Sequence, residues 1–143
     1  MAEPSASALR VAVKALTRRE LSTAELRSRL TRAGIGAEEA SAVIEHLCNA
    51  GYLSDARAAS ERARILAARH LGDRAIAVDL ARRGVPPAAI EAALAEVPPE
   101  IERAQALADR LGVGLALART LRNKRYSAEA IESVLGEVVA DGP

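Results

Sequence analysis

One pattern, met three times along the chain, limits what this sequence can fold into. Counting from Leu30, Leu80 and Leu121, four residues on stand Gly34, Gly84 and Arg125, and five on stand Ile35, Val85 and Tyr126. Ten on come Ala40, Ile90 and Ile131, and fourteen on come Ile44, Leu94 and Leu135. Self-similarity at this period is the mark of a repeat architecture. Leu26 with Leu30, Ile76 with Leu80, and Leu117 with Leu121 lie four apart, on one face of a helix that then stops. Glycine ends the first two copies, because it reaches the left-handed conformation of a helix terminus without a steric penalty. The apolar residue that follows folds back on the last turn, and the next helix opens at once, with Pro87 at a first helical position and Ser127 as a cap. The closing helices carry Val43, Ile44 and Leu47, then Ile90, Leu94 and Val97, then Ile131, Leu135 and Val138 at helical spacing.

Room remains before each pair for an opening helix, near residues 5–18, 55–71 and 99–111. The chain therefore reads as all-α, an elongated tandem array of three three-helix units, each containing a helix-turn-helix, over residues 1–53, 54–98 and 99–143. Copies are spaced by 50 and then 41 residues, which places the extra length in the opening helix of the second unit. Ser22-Thr-Ala-Glu25 is a capping box, Ser54-Asp55 and Asp73 are expected to cap their helices, and Pro98-Pro99 parts the second unit from the third. Units of this size do not bury their apolar faces alone, so stacking in a row is expected.

Alanine, 33 of 143 residues, makes close helix packing possible, whereas two tyrosines and the absence of Phe and Trp leave no platform for stacking bases. A lone cysteine, Cys48, excludes an internal disulfide framework and fits a reducing compartment. Without a run of about 20 apolar residues or a secretory leader, the expected address is cytoplasmic, with no membrane partner. No long heptad seam argues for a coiled coil, so a monomer is expected. His46, Cys48 and His70 are badly spaced for a metal, and Gly112-Val113-Gly114 reads as a turn rather than a phosphate loop. Neither a cofactor site nor a catalytic constellation can be assembled, so no enzymatic activity is expected.

Charge repeats with the helices. Residues 1–34, 57–84 and 103–125 sum to plus four, plus four and plus five, while 35–56, 85–102 and 126–143 each sum to minus four. Each unit is a basic helix pair followed by an acidic closing helix, a distribution suited to an elongated partner carrying both signs. Of the 20 cationic groups 18 are arginine, whose fork binds carboxylate or phosphate.

The blocks Arg19-Glu-Leu-Ser-Thr-Ala-Glu-Leu26 with Leu30, Gly51-Tyr-Leu-Ser-Asp55 with Arg57, and Leu80-Ala-Arg-Arg-Gly-Val85 with Ile90 and Leu94 resemble the RecX family of bacterial regulatory proteins. Leu121-Arg-Asn-Lys-Arg-Tyr-Ser127 is similar to the family's closing motif. Ala58 and Arg62 stand where the family carries aromatic rings, and Arg125-Tyr126 where it carries Gly-Phe. The resemblance implies a modulator that lies in the groove of the RecA filament on DNA and suppresses filament growth, strand exchange, ATP hydrolysis and coprotease activity, and so acts on recombinational repair and the SOS response.

Candidate partner or DNA contacts are Arg57, Arg64, Arg74, Arg82, Arg83, Arg119, Arg122, Lys124 and Arg125. For Arg57 the plain alternative is an ion pair with Glu61 one turn on, and its place in the family motif implies a role between units. Gly34, Gly51, Tyr52, Leu53, Asp55 and Gly84 form the structural motif, with Tyr52 and Leu53 expected to pack under the turn that closes the first unit. The competing reading is a helix-turn-helix repeat protein that binds single- or double-stranded DNA non-specifically through its phosphates.

Overall fold

In the computed structural model residues 3–140 are described, with side chains as far as Gly136. The described residues form nine helices: α1 (Ala6–Leu16), α2 (Thr23–Arg32), α3 (Ala37–Asn49), α4 (Asp55–Ala68), α5 (Asp73–Arg82), α6 (Pro87–Glu96), α7 (Glu100–Leu111), α8 (Leu115–Asn123) and α9 (Ala128–Ala140). Close packing between helices runs within α1–α3, within α4–α6 and within α7–α9.

The middle helices α2, α5 and α8 end in the same way. Gly34, Gly84 and Arg125 take left-handed conformations, with φ of 85°, 79° and 59°. The next residue then donates back five positions, from Ile35 to the Leu30 carbonyl, Val85 to Leu80 and Tyr126 to Leu121, at 2.9–3.1 Å. This is the Schellman arrangement. Arg125 adopts it at a cost of about 1 kcal/mol that glycine would avoid. His70 does the same at the end of α4, with φ of 62°. At the start of α2, Ser22 and Glu25 form both halves of the expected capping box. Pro87 is the first residue of α6, and Ser54 and Ser127 accept from Arg57 and Ala130 at the starts of α4 and α9.

Each trio closes its own core. The opening helices contribute alanines: Ala8, Ala12 and Ala15 of α1, Ala59, Ala63 and Ala67 of α4, and Ala104 and Ala108 of α7. Such small side chains allow the middle helix to approach closely and to bury its pair completely, Leu26 and Leu30, Ile76 and Leu80, or Leu117 and Leu121. The buried apolar residues thus fall into three separate clusters, one in each trio, and polar groups join one trio to the next.

Four expectations change. Asp73 is not a cap: Gly72 holds that position and Asp73 is the first residue of α5. The additional nine residues between the first two copies are spread over α3, α4 and their connections rather than placed in α4 alone. Tyr52 does not pack under the turn; Leu53 is buried there, but Tyr52 is 68% exposed. Arg57 pairs with Glu20 at 3.2 Å, not with Glu61. Ile131 and Leu135 pack against the last core, while the side chain of Val138 lies outside the described residues.

Candidate partner interface

The trios meet end to end, and both meetings follow one plan. The start of α2 abuts the last turn of α5, and the start of α5 abuts the last turn of α8. At the first joint, the Thr23 N–H donates to Asp55 Oδ1 at 2.8 Å and its hydroxyl to Oδ2 at 2.7 Å. At the second, the Asp73 N–H donates to Glu100 Oε2 at 2.8 Å. In both, the first residue of the next opening helix, Asp55 or Glu100, supplies a carboxylate to the free N–H groups of a middle helix, where the helix dipole also favours it. Ser22 Oγ donates to the Arg83 carbonyl at one joint, and the Gly72 N–H to the Lys124 carbonyl at 2.7 Å at the other. Gly72 tolerates no side chain, because a Cβ would lie 2.5 Å from the Arg125 carbonyl oxygen.

An ionic chain crosses the first joint. Arg19 bonds Glu25 at 2.8 Å; Glu25 also meets Arg83 at 3.3 Å; Arg83 bonds Asp79 at 2.8 Å; and Arg62 holds both Asp79 oxygens at 3.1 and 3.2 Å. Arg62 therefore anchors α5 to α4 through a fork. Burial alone would raise the Glu25 pKa, but the bonds from Arg19 and the Ser22 N–H, with the charges of Arg19 and Arg83, hold it below the ordinary carboxylate value. For Asp79 burial is likewise outweighed, by hydrogen bonds from Arg62 and Arg83 and by their charges. Both carboxylates prefer the ionised folded state, so their stabilisation is complete above the unfolded pKa values near 4 and disappears as pH falls through the lower folded values. Thermal unfolding followed from pH 7 to pH 3 is expected to show a melting temperature that drops below about pH 4, with a smaller drop in Glu25→Gln; equal profiles for both proteins would contradict it.

The second joint is built around Arg103, which is only 4% exposed. Its guanidinium donates to the Leu71 carbonyl at 3.2 and 3.3 Å, the Pro98 carbonyl at 2.5 Å and Asp73 at 2.5 Å. Tyr126 donates its hydroxyl to the His70 carbonyl at 2.7 Å, and burial pushes its phenol pKa up. Lys124 Nζ donates to the Arg69 carbonyl at 3.0 Å. Sequence reasoning did not single out Arg103, and marked Arg62 only as a residue standing where the resemblance implies a ring.

Among the nine cations named from the sequence, three are thus occupied within the chain: Arg57 with Glu20, Arg83 with Asp79 and Glu25, and Lys124 with a backbone carbonyl. Arg64, Arg74, Arg82, Arg119, Arg122 and Arg125 are exposed and, among the described residues, make no ion pair or hydrogen bond through their side chains. Arg29 and Arg32 of α2, which sequence reasoning missed, are also unpaired among the described residues; Arg32, like Arg82, stands two positions before a turn glycine, and that was the available signal. Each middle helix therefore presents unpaired arginines. Cys48 is exposed, and its thiol pKa is pushed up by burial and by Asp55, which leaves it unactivated. Among the described residues no cluster of His, Cys, Asp and Glu is placed to hold a metal ion, and no helix is long and apolar enough to cross a membrane.

Residues 8–47 match the model of the first three-helix domain of RecX, and residues 54–94 match that of the second. The chain belongs to the RecX family. Among curated RecX proteins it is 39% identical over 109 residues to the regulatory protein RecX of Trichlorobacter lovleyi, covering 72% of this chain and 70% of that one. Against the regulatory protein RecX of Mycolicibacterium smegmatis identity is 35% over 100 residues, covering 67% of this chain and 52% of that one. The RecX fold extends through the last three helices. The crystal structure of RecX from Lactobacillus salivarius superposes with a TM-score of 0.78 at 19% identity, covering 94% of this chain and 96% of that one. A second crystal structure of regulatory protein RecX gives 0.76 at 18% identity, covering 96% of this chain and 73% of that one.

Proposed function

We propose that the chain is a non-enzymatic regulator that binds the RecA filament on DNA and restrains its growth, and with it strand exchange, ATP hydrolysis and coprotease activity. In this reading it works as a monomer in the cytoplasm, in recombinational repair and the SOS response. Residues 1–53, 54–98 and 99–143 act as three successive units of one elongated array, the last a further copy of the plan that the two family domains share.

The observation that carries the reading is the set of unpaired arginines on successive middle helices, Arg74 and Arg82 on α5 and Arg119 and Arg122 on α8, separated by acidic closing helices. A partner built of repeating subunits offers matching contacts at regular intervals. With aromatic anchors absent, arginine is the residue type best able to carry the binding energy. Arg57, Arg83 and Lys124 contribute by fixing the joints between trios, and Arg64 and Arg125 add two further exposed arginines.

The test is RecA ATP hydrolysis on single-stranded DNA, titrated with this protein and with a variant in which Arg74, Arg82, Arg119 and Arg122 are reversed to Glu. Those four side chains are exposed and make no ion pair or hydrogen bond among the described residues, so helicity measured by circular dichroism is expected to be unchanged. The variant is expected to need at least tenfold more protein for the same inhibition, equivalent to about 1.4 kcal/mol of binding energy. A folded variant that inhibits at the wild-type concentration would remove this surface from the reading.

A further inference from the structure

The first joint builds a groove that neither unit has alone. Its walls are Arg29 and Arg32 of α2 and Arg82 of α5, with Arg19, Arg83 and Glu25 at its inner end, around a volume of about 290 Å³. Glu25 is the groove's one carboxylate, and it is already bonded to Arg19 and Arg83. The side chains of Arg29, Arg32 and Arg82 have no partner among the described residues. Three free guanidiniums from two units thus converge beside two arginines that are already paired.

We propose that this groove is a binding site for a chain of phosphates, and that it exists only while the first two units are docked. With Arg19 and Arg83 answered by Glu25 and by Asp79 behind the groove, the three free guanidiniums call for several anionic charges within one short span. Consecutive phosphates on one backbone deliver them already connected, and their oxygens match the arginine fork. A protein partner would have to hold three carboxylates together against their mutual repulsion. Because no aromatic ring lines the groove, bases are not stacked and their sequence is not read. Linkage follows from the geometry: a ligand that spans α2 and α5 favours the docked arrangement, and docking favours the ligand by the same factor. The inference deepens the reading above and rests on it only for the natural source of the phosphates.

The structure supplies its own control. Gly84 lies against Ala24 across the joint, so that a Cβ at Gly84 would collide with the Ala24 Cβ, whereas a Cβ at Gly34 would meet nothing within 4 Å. Both glycines have positive φ. Gly84→Ala and Gly34→Ala therefore carry the same backbone strain, but only the first wedges the joint.

The experiment measures binding of a fluorescently labelled 20-nucleotide oligo-dT by anisotropy, across a range of salt. Arg29→Ala/Arg32→Ala/Arg82→Ala is expected to bind at least tenfold more weakly, with a salt slope shallower by about 2, since each lost phosphate contact on a single strand removes about 0.7. Gly84→Ala is expected to weaken binding about tenfold, a loss of about 1.4 kcal/mol, while Gly34→Ala binds as wild type, with helicity checked in both. Tripolyphosphate is expected to displace the oligonucleotide, and poly-glutamate of equal charge to fail. Tripolyphosphate binding without oligonucleotide binding would keep the groove and assign its phosphates to a free source. Unaltered binding by the triple variant, equal binding by the two glycine variants, or displacement by poly-glutamate as effective as by tripolyphosphate would overturn the proposal. RecA hydrolysis plays no part in this readout, so its outcome and that of the filament reading are separable.

Discussion

Arg103→Met is expected to lower the melting temperature by roughly 10 °C. Methionine keeps the apolar stem, so the loss isolates the guanidinium. The carbonyls of half-buried Leu71 and of exposed Pro98 then lose a charged donor, a bond of a kind worth about 1.5–3 kcal/mol where water is kept away and less at Pro98, where water replaces it. Asp73 loses a partner too, but it is 45% exposed and rehydrates, and so adds little. The total is about 3 kcal/mol, and a chain of this size shifts by about 2–4 °C for each. Calorimetry gives the number, and hydrogen exchange locates it: amides of α7–α9 and of the Leu71–Asp73 turn should open first. A change under about 1 kcal/mol would mean that the joint does not depend on this residue.

Leu80→Ala is expected to cost about 3 kcal/mol, within the range measured for fully buried leucines cut back to alanine. Leu80 is 0% exposed and belongs to the middle core, which shares no residue with the other two. The damage should therefore be local. Hydrogen-exchange protection should fall across α4–α6 and remain in α1–α3, whose Leu26 and Leu30 are untouched. A uniform loss along the whole chain would contradict the division into separate cores, because it would require the trios to unfold as one cooperative unit.

The helices were legible in the sequence because their signals are local. An apolar pair four apart, a turn residue that is glycine in two copies and Arg125 in the third, and a following apolar residue recur three times, and each recurrence became a middle helix with the same terminal turn. At Arg125 the pattern left two outcomes, a strained left-handed residue or a different helix end, and the structure takes the first. What joins the trios was not legible. Arg103 sits in the sequence as an ordinary helical arginine beside Glu102, and nothing local marks it as the residue whose donors reach the Leu71 carbonyl 32 positions back. Arg57 had a suitable acid one turn on in Glu61, yet it pairs with Glu20, 37 positions away. Asp73 looked like a cap, and the cap position fell to Gly72 because the Arg125 backbone comes too close for any side chain there.

The candidate surface was legible in part, for a similar reason. The arginine clusters before each turn could be counted, but which of them are free could not, since Arg83 and Lys124 are consumed by contacts between trios. Arg29 and Arg32 have acids and other arginines near them in the sequence, and only the fold shows that none of those acids reaches them. Arg62, standing where relatives are expected to place a ring, turned out to supply a fork to Asp79 instead.

The central claim is that this RecX-family chain acts on the RecA filament by binding alone. Its most direct test is the rate of RecA ATP hydrolysis on single-stranded DNA as the wild-type protein is added at substoichiometric ratios. The account predicts that hydrolysis falls progressively, at protein concentrations far below those at which the chain binds free DNA. Unchanged hydrolysis together with an unchanged filament lifetime would contradict it.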